Sequence, residues 1–186
     1  EIRKELGLKD KFVVGHVGRL HPQKNHDFLI DVFAEIKKKK PDAELILVGT
    51  GPLEEKVKSK VIEKCLSDCV HFLGNRKDMN RIYQAMDVFV FPSLFEGLGI
   101  VAIEAQAAGV PIVCSEGLPP ETDITPIYQK LLLSDGAEKW ANVALEMAQN
   151  LKAHTNMQQY VIDAGFDMDA TAKYMESYYL NRWRTA

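Results

Sequence analysis

Residues 87–115 read DVFVFPSLFEGLGIVAIEAQAAGVPIVCS, and this stretch predicts the fold. It begins with a short apolar run at residues 87–91, which is typical of a buried strand. A glycine-containing turn leads into a mostly apolar helix at residues 100–108, and Gly109 ends that helix. A second apolar run follows at residues 111–114. Strand, helix and strand in this order predict two parallel strands joined by a crossover helix.

The same alternation continues on both sides of this stretch. Apolar runs predict further strands at residues 12–18, 44–48 and 70–73, with a sixth at 130–133. Helical spacing and end signals predict helices at residues 27–40, 53–65, 78–86 and 137–150. Such alternation predicts an α/β fold with a Rossmann-like, doubly wound parallel sheet. Because it stops near Asn150, we expect one Rossmann-like domain in residues 1–150 and a C-terminal helical extension in residues 151–186.

The composition excludes several classes of protein. Of 186 residues, 46% are apolar and 26% are charged, and the formal net charge is -3, so a general affinity for nucleic acid is not expected. Three cysteines without a C-x-x-C spacing argue against a disulfide framework and a zinc site. The charged first residues do not resemble a signal peptide, which favours a cytoplasmic location. The absence of a starting Met leads us to expect a fragment of a longer protein.

In doubly wound sheets, ligands bind beyond the carboxyl ends of the strands. After the first strand, Arg19 and Lys24 flank a turn that leads into a helix, an arrangement that suits a phosphate or, alternatively, only two surface charges. After the fourth strand, Gly97 and Gly99 allow close approach of backbone amides to a ligand. Glu104 lies in the mostly apolar helix that follows, so we expect it to be buried and to need hydrogen-bond partners, from a ligand or from the protein.

Three weaker motifs have structural interpretations. Residues 49–51 read Gly-Thr-Gly, but the third glycine of a dinucleotide-binding loop is replaced by Glu54, so a tight turn is expected. Asp78 is expected to cap the helix after the third strand. Residues 167–169 read Asp-Met-Asp, a D-x-D spacing that binds a metal ion in some enzymes. Its position between predicted helices favours a helix cap at Asp169, and no metal site is predicted.

Two of these motifs together resemble a known family. Glu96 and Glu104 form an E-x7-E motif within residues 92–115, and VGRLHPQKN precedes it at residues 17–25. Over residues 12–115 the sequence resembles the C-terminal, donor-binding domain of the retaining GT-B glycosyltransferases of family GT4. It looks particularly like bacterial exopolysaccharide and capsule transferases. The residues at 117–122 differ from the glycine-rich turn of many members, which leaves the sugar preference open.

The resemblance implies that residues 1–150 form a nucleotide-sugar-binding domain, with a site for a UDP- or GDP-linked sugar and no other cofactor. Arg19 and Lys24 would hold the diphosphate. Glu96 would bind the sugar hydroxyls, and Glu104 would bind the ribose hydroxyls. Arg19, Lys24 and Glu96 would be the catalytic residues. The loop at Arg76 would meet the base through its backbone. Further contacts are expected from Gly18 and from the amides of Gly97, Leu98, Gly99 and Ile100.

The implied function is that of the donor-binding half of a hexosyltransferase, which moves a sugar to a glycan or lipid-linked acceptor in polysaccharide biosynthesis. Nothing before Phe12 could supply the N-terminal acceptor domain of such an enzyme. We therefore expect this chain alone to be inactive and residues 151–186 to pack toward that missing domain. Peripheral association with the inner face of the membrane is expected of the whole enzyme. Two alternatives remain, a nucleotide-sugar-binding module and a GT-B-type epimerase.

Overall fold

Six parallel strands form the sheet of the computed structural model, which describes residues 1–151 and 154–185. The strands are β1 (Phe12–Val17), β2 (Ala43–Val48), β3 (Val70–Phe72), β4 (Val88–Phe91), β5 (Ile112–Ser115) and β6 (Tyr128–Leu131). Their order across the sheet is β3-β2-β1-β4-β5-β6, and every neighbouring pair is parallel. This order confirms the predicted doubly wound fold and places its switch point between β1 and β4.

Helices cover both faces of the sheet. They are α1 (Ile2–Glu5), α2 (His26–Lys39), α3 (Glu54–Glu63), α4 (Met79–Tyr83), α5 (Ile100–Ala107), α6 (Gly136–Asn150), α7 (Gln158–Asp163) and α8 (Met168–Thr185). The apolar stripes of α2, α3 and α6 pack on one face, whereas α1, α4 and α5 pack on the other. Alternate residues of each strand point to opposite faces, so Val13 and Val14 of β1 belong to different apolar clusters.

The sixth strand is present, but its predicted position at residues 130–133 was wrong by two residues. In β6, Tyr128 lies opposite Ile112 and Leu131 opposite Ser115. The strand forms the edge of the sheet, where only some of its side chains are buried, so no continuous apolar run marks it. Leu132, which the prediction included, is exposed.

Both predicted capping carboxylates need correction. Asp78 occupies the N-cap of α4, but its side chain makes no capping hydrogen bond, because Arg76 and Arg81 bind the carboxylate. At α8 the cap is Asp167, whose Oδ1 accepts a hydrogen bond from the amide of Ala170 at 2.5 Å. Asp169 instead lies within the helix, since the chain becomes helical two residues earlier than expected.

The C-terminal helices expose a large apolar surface. Val161 of α7 is buried, whereas α8 exposes aromatic side chains, up to 85% for Trp183. Tyr160, Tyr174, Met175, Tyr178 and Trp183 are all exposed. Phe166 differs because it is half-buried. Residues 152, 153 and 186 of the predicted extension lie outside the described residues, and none of the described helices is long and apolar enough to cross a membrane.

Candidate functional site

The loops that follow β1 and β4 meet at the switch point of the sheet. The two strands pair with Gly15 opposite Phe89. One residue further along β1, the ring of His16 reaches across to β4, with Nδ1 2.9 Å from the carbonyl oxygen of Val90. The sequence-predicted loops at residues 18–25 and 92–99 therefore start side by side, which is where doubly wound sheets bind ligands.

Lys24 and Glu96 form an ion pair across this cleft. The Nζ atom of Lys24 lies 2.6 Å from Oε1 of Glu96, and the side chains are only 15% and 7% exposed. The same Nζ atom lies 4.8 Å from the ring centroid of Phe91. The lysine stem crosses Gly18, where an added Cβ atom would lie 3.1 Å from Lys24 Cδ. Gly18 therefore leaves room for the lysine to reach the carboxylate.

Backbone and amide contacts hold the loop around Glu96. Gln23 Nε2 donates to the carbonyl of Phe95 at 2.8 Å, and the amide of Leu94 donates to the carbonyl of Gln23 at 2.8 Å. The amide of Glu96 donates to the carbonyl of Gly117 at 2.9 Å. A Cβ atom on Gly117 would lie 2.4 Å from the carbonyl oxygen of Leu94. Loops after three neighbouring strands are thus packed together around one carboxylate.

The N-terminus of α5 offers unused amides beside this pair. Gly99 is the N-cap, with a φ of 73° in the left-handed region that favours glycine. Within the described residues, the amides of Gly97, Leu98, Gly99 and Ile100 donate no hydrogen bond. Gly97 and Ile100 are exposed, Leu98 is half-buried and Gly99 is buried. Free amides and the helix dipole together favour an anion at this position.

Arg19 places a second cation at the rim of the cleft. Its neighbours are anchored, because the amide of Gly18 donates to Val48 and the amide of Leu20 donates to Thr50, at 2.9 and 3.1 Å. Arg19 itself is exposed, and its guanidinium contacts no partner among the described residues. An anchored backbone with a free guanidinium is suited to binding an anion from solution.

The side chain of Arg76 is already occupied. Its Nε and Nη2 atoms donate to the two carboxylate oxygens of Asp78, both at 2.8 Å. The loop is joined to the end of β2, because the amide of Gly49 donates to the carbonyl of Gly74 at 2.8 Å. The guanidinium is therefore engaged in shaping the loop, and the backbone is the part of this loop that remains for a ligand.

Glu104 is exposed, so the expectation that it is buried was wrong. Ala102 and Ala105 of α5 face the core, while Glu104 faces outward, one turn after the exposed Ile100. Its Oε2 atom accepts a hydrogen bond from the hydroxyl of Tyr83 at 2.8 Å. A cavity of about 520 Å³ lies beside this pair, between α4, α5 and residues 154–158.

A pair of buried histidines lies beneath the cleft and was not recognised in the sequence. The rings of His16 and His26 are 4.7 Å apart, and both residues are almost completely buried. Burial, with further contributions from the neighbouring His26 and Lys24 charges, lowers the pKa of His16 well below 6.5. Burial and the Lys24 charge lower the pKa of His26 to about 4. Both rings are therefore neutral near pH 7.

No cluster of side chains in the described part of the chain could hold a metal ion. Cys65, Cys69 and Cys114 are free thiols. Tyr83 and Gln23 contact the site residues but were not predicted from the sequence. Their positions in the sequence do not indicate a functional role, because a tyrosine in a short helix and a glutamine in a loop are common in ordinary structure.

Two curated relatives match most of this chain. The putative glycosyltransferase EpsF of Bacillus subtilis is 32% identical over 160 residues, covering 85% of this chain and 42% of the relative. The GDP-mannose-dependent monoacylated alpha-(1-6)-phosphatidylinositol monomannoside mannosyltransferase of Corynebacterium glutamicum is 34% identical over 156 residues, covering 78% and 40%. The chain thus spans less than half the length of these relatives.

A solved structure and a family model of glycosyl transferases also match this chain. The crystal structure of Anabaena Alr3699/HepE in complex with UDP and glucose matches with a TM-score of 0.78 and 24% identity, over 95% of this chain and 51% of that chain. The fold is therefore shared, and the predicted resemblance to GT-B glycosyltransferases is confirmed. The model described as "Glycosyl transferases group 1" matches residues 1–165. This chain belongs to the glycosyl transferases of group 1.

Proposed function

We propose that this chain is the donor-binding half of a retaining family 4 hexosyltransferase, which moves a sugar from a UDP- or GDP-linked donor to a glycan or lipid-linked acceptor. The observation that carries the proposal is the Lys24–Glu96 pair at 2.6 Å, beside four free amides at the start of α5. A nucleotide sugar combines a diphosphate with a polyhydroxylated ring. The cleft offers cations and amides for the first and a carboxylate for the second.

The free groups suggest how the donor lies. The diphosphate would bind Arg19 and the amides at the N-terminus of α5, with sugar hydroxyls on Glu96. Lys24 need not leave Glu96, because an ammonium group has three donors and can bind a carboxylate and a phosphate at once. The ribose would lie at Glu104 and the base against the backbone of the Arg76 loop.

Bond breakage between the sugar and the diphosphate places negative charge on the leaving oxygens. Arg19, Lys24 and the α5 amides would stabilise that charge as it develops, since they are held in place before the reaction. Removal of one such donor typically costs roughly 3 to 4 kcal/mol of transition-state stabilisation. In a retaining reaction on the leaving-group side, Glu96 would orient the sugar and stabilise charge instead of forming a covalent bond.

The acceptor site would be supplied by a second domain. This chain spans 42% and 40% of the two curated relatives, which leaves room for such a domain in a protein of their length. The exposed aromatic side chains of α8 would be covered by that domain. On this proposal residues 151–186 form the extension that packs against it, the isolated chain is inactive, and the whole enzyme works in the cytoplasm at the inner face of the membrane, in polysaccharide biosynthesis.

Isothermal titration calorimetry of the chain with UDP, GDP and NADH tests the donor site. We expect UDP or GDP to bind and NADH not to bind. Both nucleoside diphosphates are included because the name of one relative specifies GDP-mannose and the Anabaena structure contains UDP. Binding of NADH without binding of UDP or GDP would contradict the proposal.

Glu104→Ala separates the nucleoside part of the site from the phosphate part. The substitution should weaken UDP or GDP binding more than inorganic pyrophosphate binding, because only the nucleotide carries ribose hydroxyls. Equal losses would indicate a structural role for Glu104.

Incubating the full-length protein with labelled donor and acceptor distinguishes the transferase from the epimerase, because only the transferase elongates the acceptor.

A further inference from the structure

Tyr83 connects the core of the protein to the exposed carboxylate of Glu104. The residue is 2% exposed, and its ring packs edge-on against Phe89 of β4, with ring centroids 6.1 Å apart. Its hydroxyl lies 2.8 Å from Glu104 Oε2 and 3.3 Å from the carbonyl oxygen of Val101. The proton goes to the closer, charged acceptor, because hydrogen bonds to carboxylates are shorter and stronger than those to neutral carbonyls.

This bond restricts a side chain that would otherwise be mobile. An exposed glutamate samples several rotamers, and fixing such a side chain costs up to about 2 kcal/mol in entropy. Tyr83 holds Oε2, and no other described residue makes a side-chain hydrogen bond or ion pair with Glu104. Oε1 therefore remains available as an acceptor, and Glu104 lines the 520 Å³ cavity. Since a carboxylate only accepts hydrogen bonds, its partner must be a donor such as a hydroxyl.

The phenol remains protonated under ordinary conditions. Burial and the adjacent Glu104 charge raise the pKa of Tyr83 well above 10. The hydroxyl is thus a permanent donor toward the carboxylate. Tyr83 also ends the short helix α4, whose N-cap Asp78 is held by Arg76. The short helix α4 therefore connects Tyr83 to the loop that the proposed function assigns to the base.

We propose that Tyr83 is the positioning residue of the ribose site: its hydroxyl holds one carboxylate oxygen of Glu104 so that the other faces the ribose hydroxyls of a bound nucleoside diphosphate. This role rests on the proposed function. Tyr83 and Glu104 would then act together on the nucleoside. Because the buried tyrosine already restricts the glutamate side chain, the glutamate loses less conformational entropy when the ligand binds.

The test compares UDP and GDP with their 2′,3′-dideoxy analogues by titration calorimetry. Tyr83→Phe removes the hydroxyl and keeps the packed ring. We expect it to weaken binding of the better ribonucleotide about tenfold, while the dideoxy analogue, already weak with the unmodified chain, loses nothing further. In a Glu104→Ala background, Tyr83→Phe should have no effect on either ligand.

Tyr128→Phe is the matched control, because it also removes a buried phenol hydroxyl, one that bonds to Thr122 at 2.9 Å and not to Glu104. It should leave the ratio between ribonucleotide and dideoxy binding unchanged. Equal losses of both ligands in Tyr83→Phe, or no loss of either, would overturn the positioning role while leaving the donor site intact. An unmodified chain that binds neither UDP nor GDP would instead overturn the proposed function itself, and this role with it.

Discussion

The ammonium group of Lys24 and the carboxylate of Glu96 lie 2.6 Å apart although 72 residues separate them in the chain. Each comes from the loop after one of the two strands at the switch point of the sheet. Both side chains are largely shielded from water, so each charge depends on the other for compensation. This pair links the fold to the proposed chemistry, because it places a cation and a sugar-binding carboxylate at one position.

A double-mutant cycle measures the strength of this pair. Lys24→Ala should lower the free energy of unfolding by about 3 kcal/mol, since it leaves a buried carboxylate without its partner. Adding Glu96→Gln should recover part of the loss, with a coupling energy of about 1 to 3 kcal/mol in urea denaturation. The exposed pair of Lys58 and Glu54, at 2.9 Å, is the control and should couple much more weakly, because solvent screens both charges. A Lys24–Glu96 coupling as small as the control would contradict the prediction.

Arg19→Ala should weaken binding of UDP or GDP and of pyrophosphate by the same factor, roughly 10- to 100-fold. The guanidinium has no protein partner among the described residues, so its loss acts on the phosphate groups and leaves the fold unchanged. Calorimetry gives the affinities. Lys9→Ala removes an exposed cation just before β1, at the opposite edge of the sheet, and should leave both affinities unchanged. A loss confined to the nucleotide would assign Arg19 to the nucleoside instead.

Gly49→Ala should destabilise the protein and deform the loop that carries Arg19. Gly49 has a φ of 127°, and an added Cβ atom would lie 2.2 Å from the carbonyl oxygen of Gly18. Gly7→Ala is a suitable control, because Gly7 also has a positive φ of 72° but has open space around it. We expect about 1 kcal/mol of destabilisation for Gly7→Ala from backbone strain and clearly more for Gly49→Ala. Similar losses in thermal denaturation would show that the close contact has little effect.

The buried histidines should make the protein less stable in mild acid. His26 has a pKa of about 4 in the folded protein against 6.5 in the unfolded chain, so the unfolded state binds more protons between these values. The contribution of His26 to stability is complete above pH 6.5 and decreases as the pH falls toward 4. At pH 5 this titration lowers the free energy of unfolding by about 2 kcal/mol.

His26→Gln should therefore reduce the difference in unfolding free energy between pH 7 and pH 5, measured by urea denaturation. His16, whose pKa is also lowered by burial, acts in the same direction and leaves a residual slope. His21→Gln serves as the control because His21 is exposed, and it should retain the slope of the unmodified chain. A slope that is unchanged in His26→Gln would show that His26 does not titrate in this way.

Local sequence patterns were sufficient to predict the sheet, its parallel strands and the edge at which the site lies. Apolar runs, helical periodicity and glycines are short-range signals, and the carboxyl ends of parallel strands must lie at one edge. Arg19 and Glu96 were therefore expected at the same edge from the sequence alone. The tight turn expected at residues 49–51 lies instead at residues 51–54, where the amide of Glu54 donates to the carbonyl of Gly51 at 3.2 Å. Gly49 and Gly51 themselves pack closely on the carbonyls of Gly18 and Leu20.

Which side chains meet depends on how the helices and loops pack on the sheet. Helix α5 is apolar nearly all round, so its sequence does not indicate which face is buried, and packing on the sheet turned Glu104 outward to Tyr83. Competition between partners likewise placed Asp78 on Arg76 instead of at the helix cap. The sequence was enough to predict the parallel sheet and the cations, carboxylates and glycines that lie at the cleft. The pairs Lys24–Glu96 and Tyr83–Glu104 depend on distances between elements far apart in the chain, which local propensity does not encode.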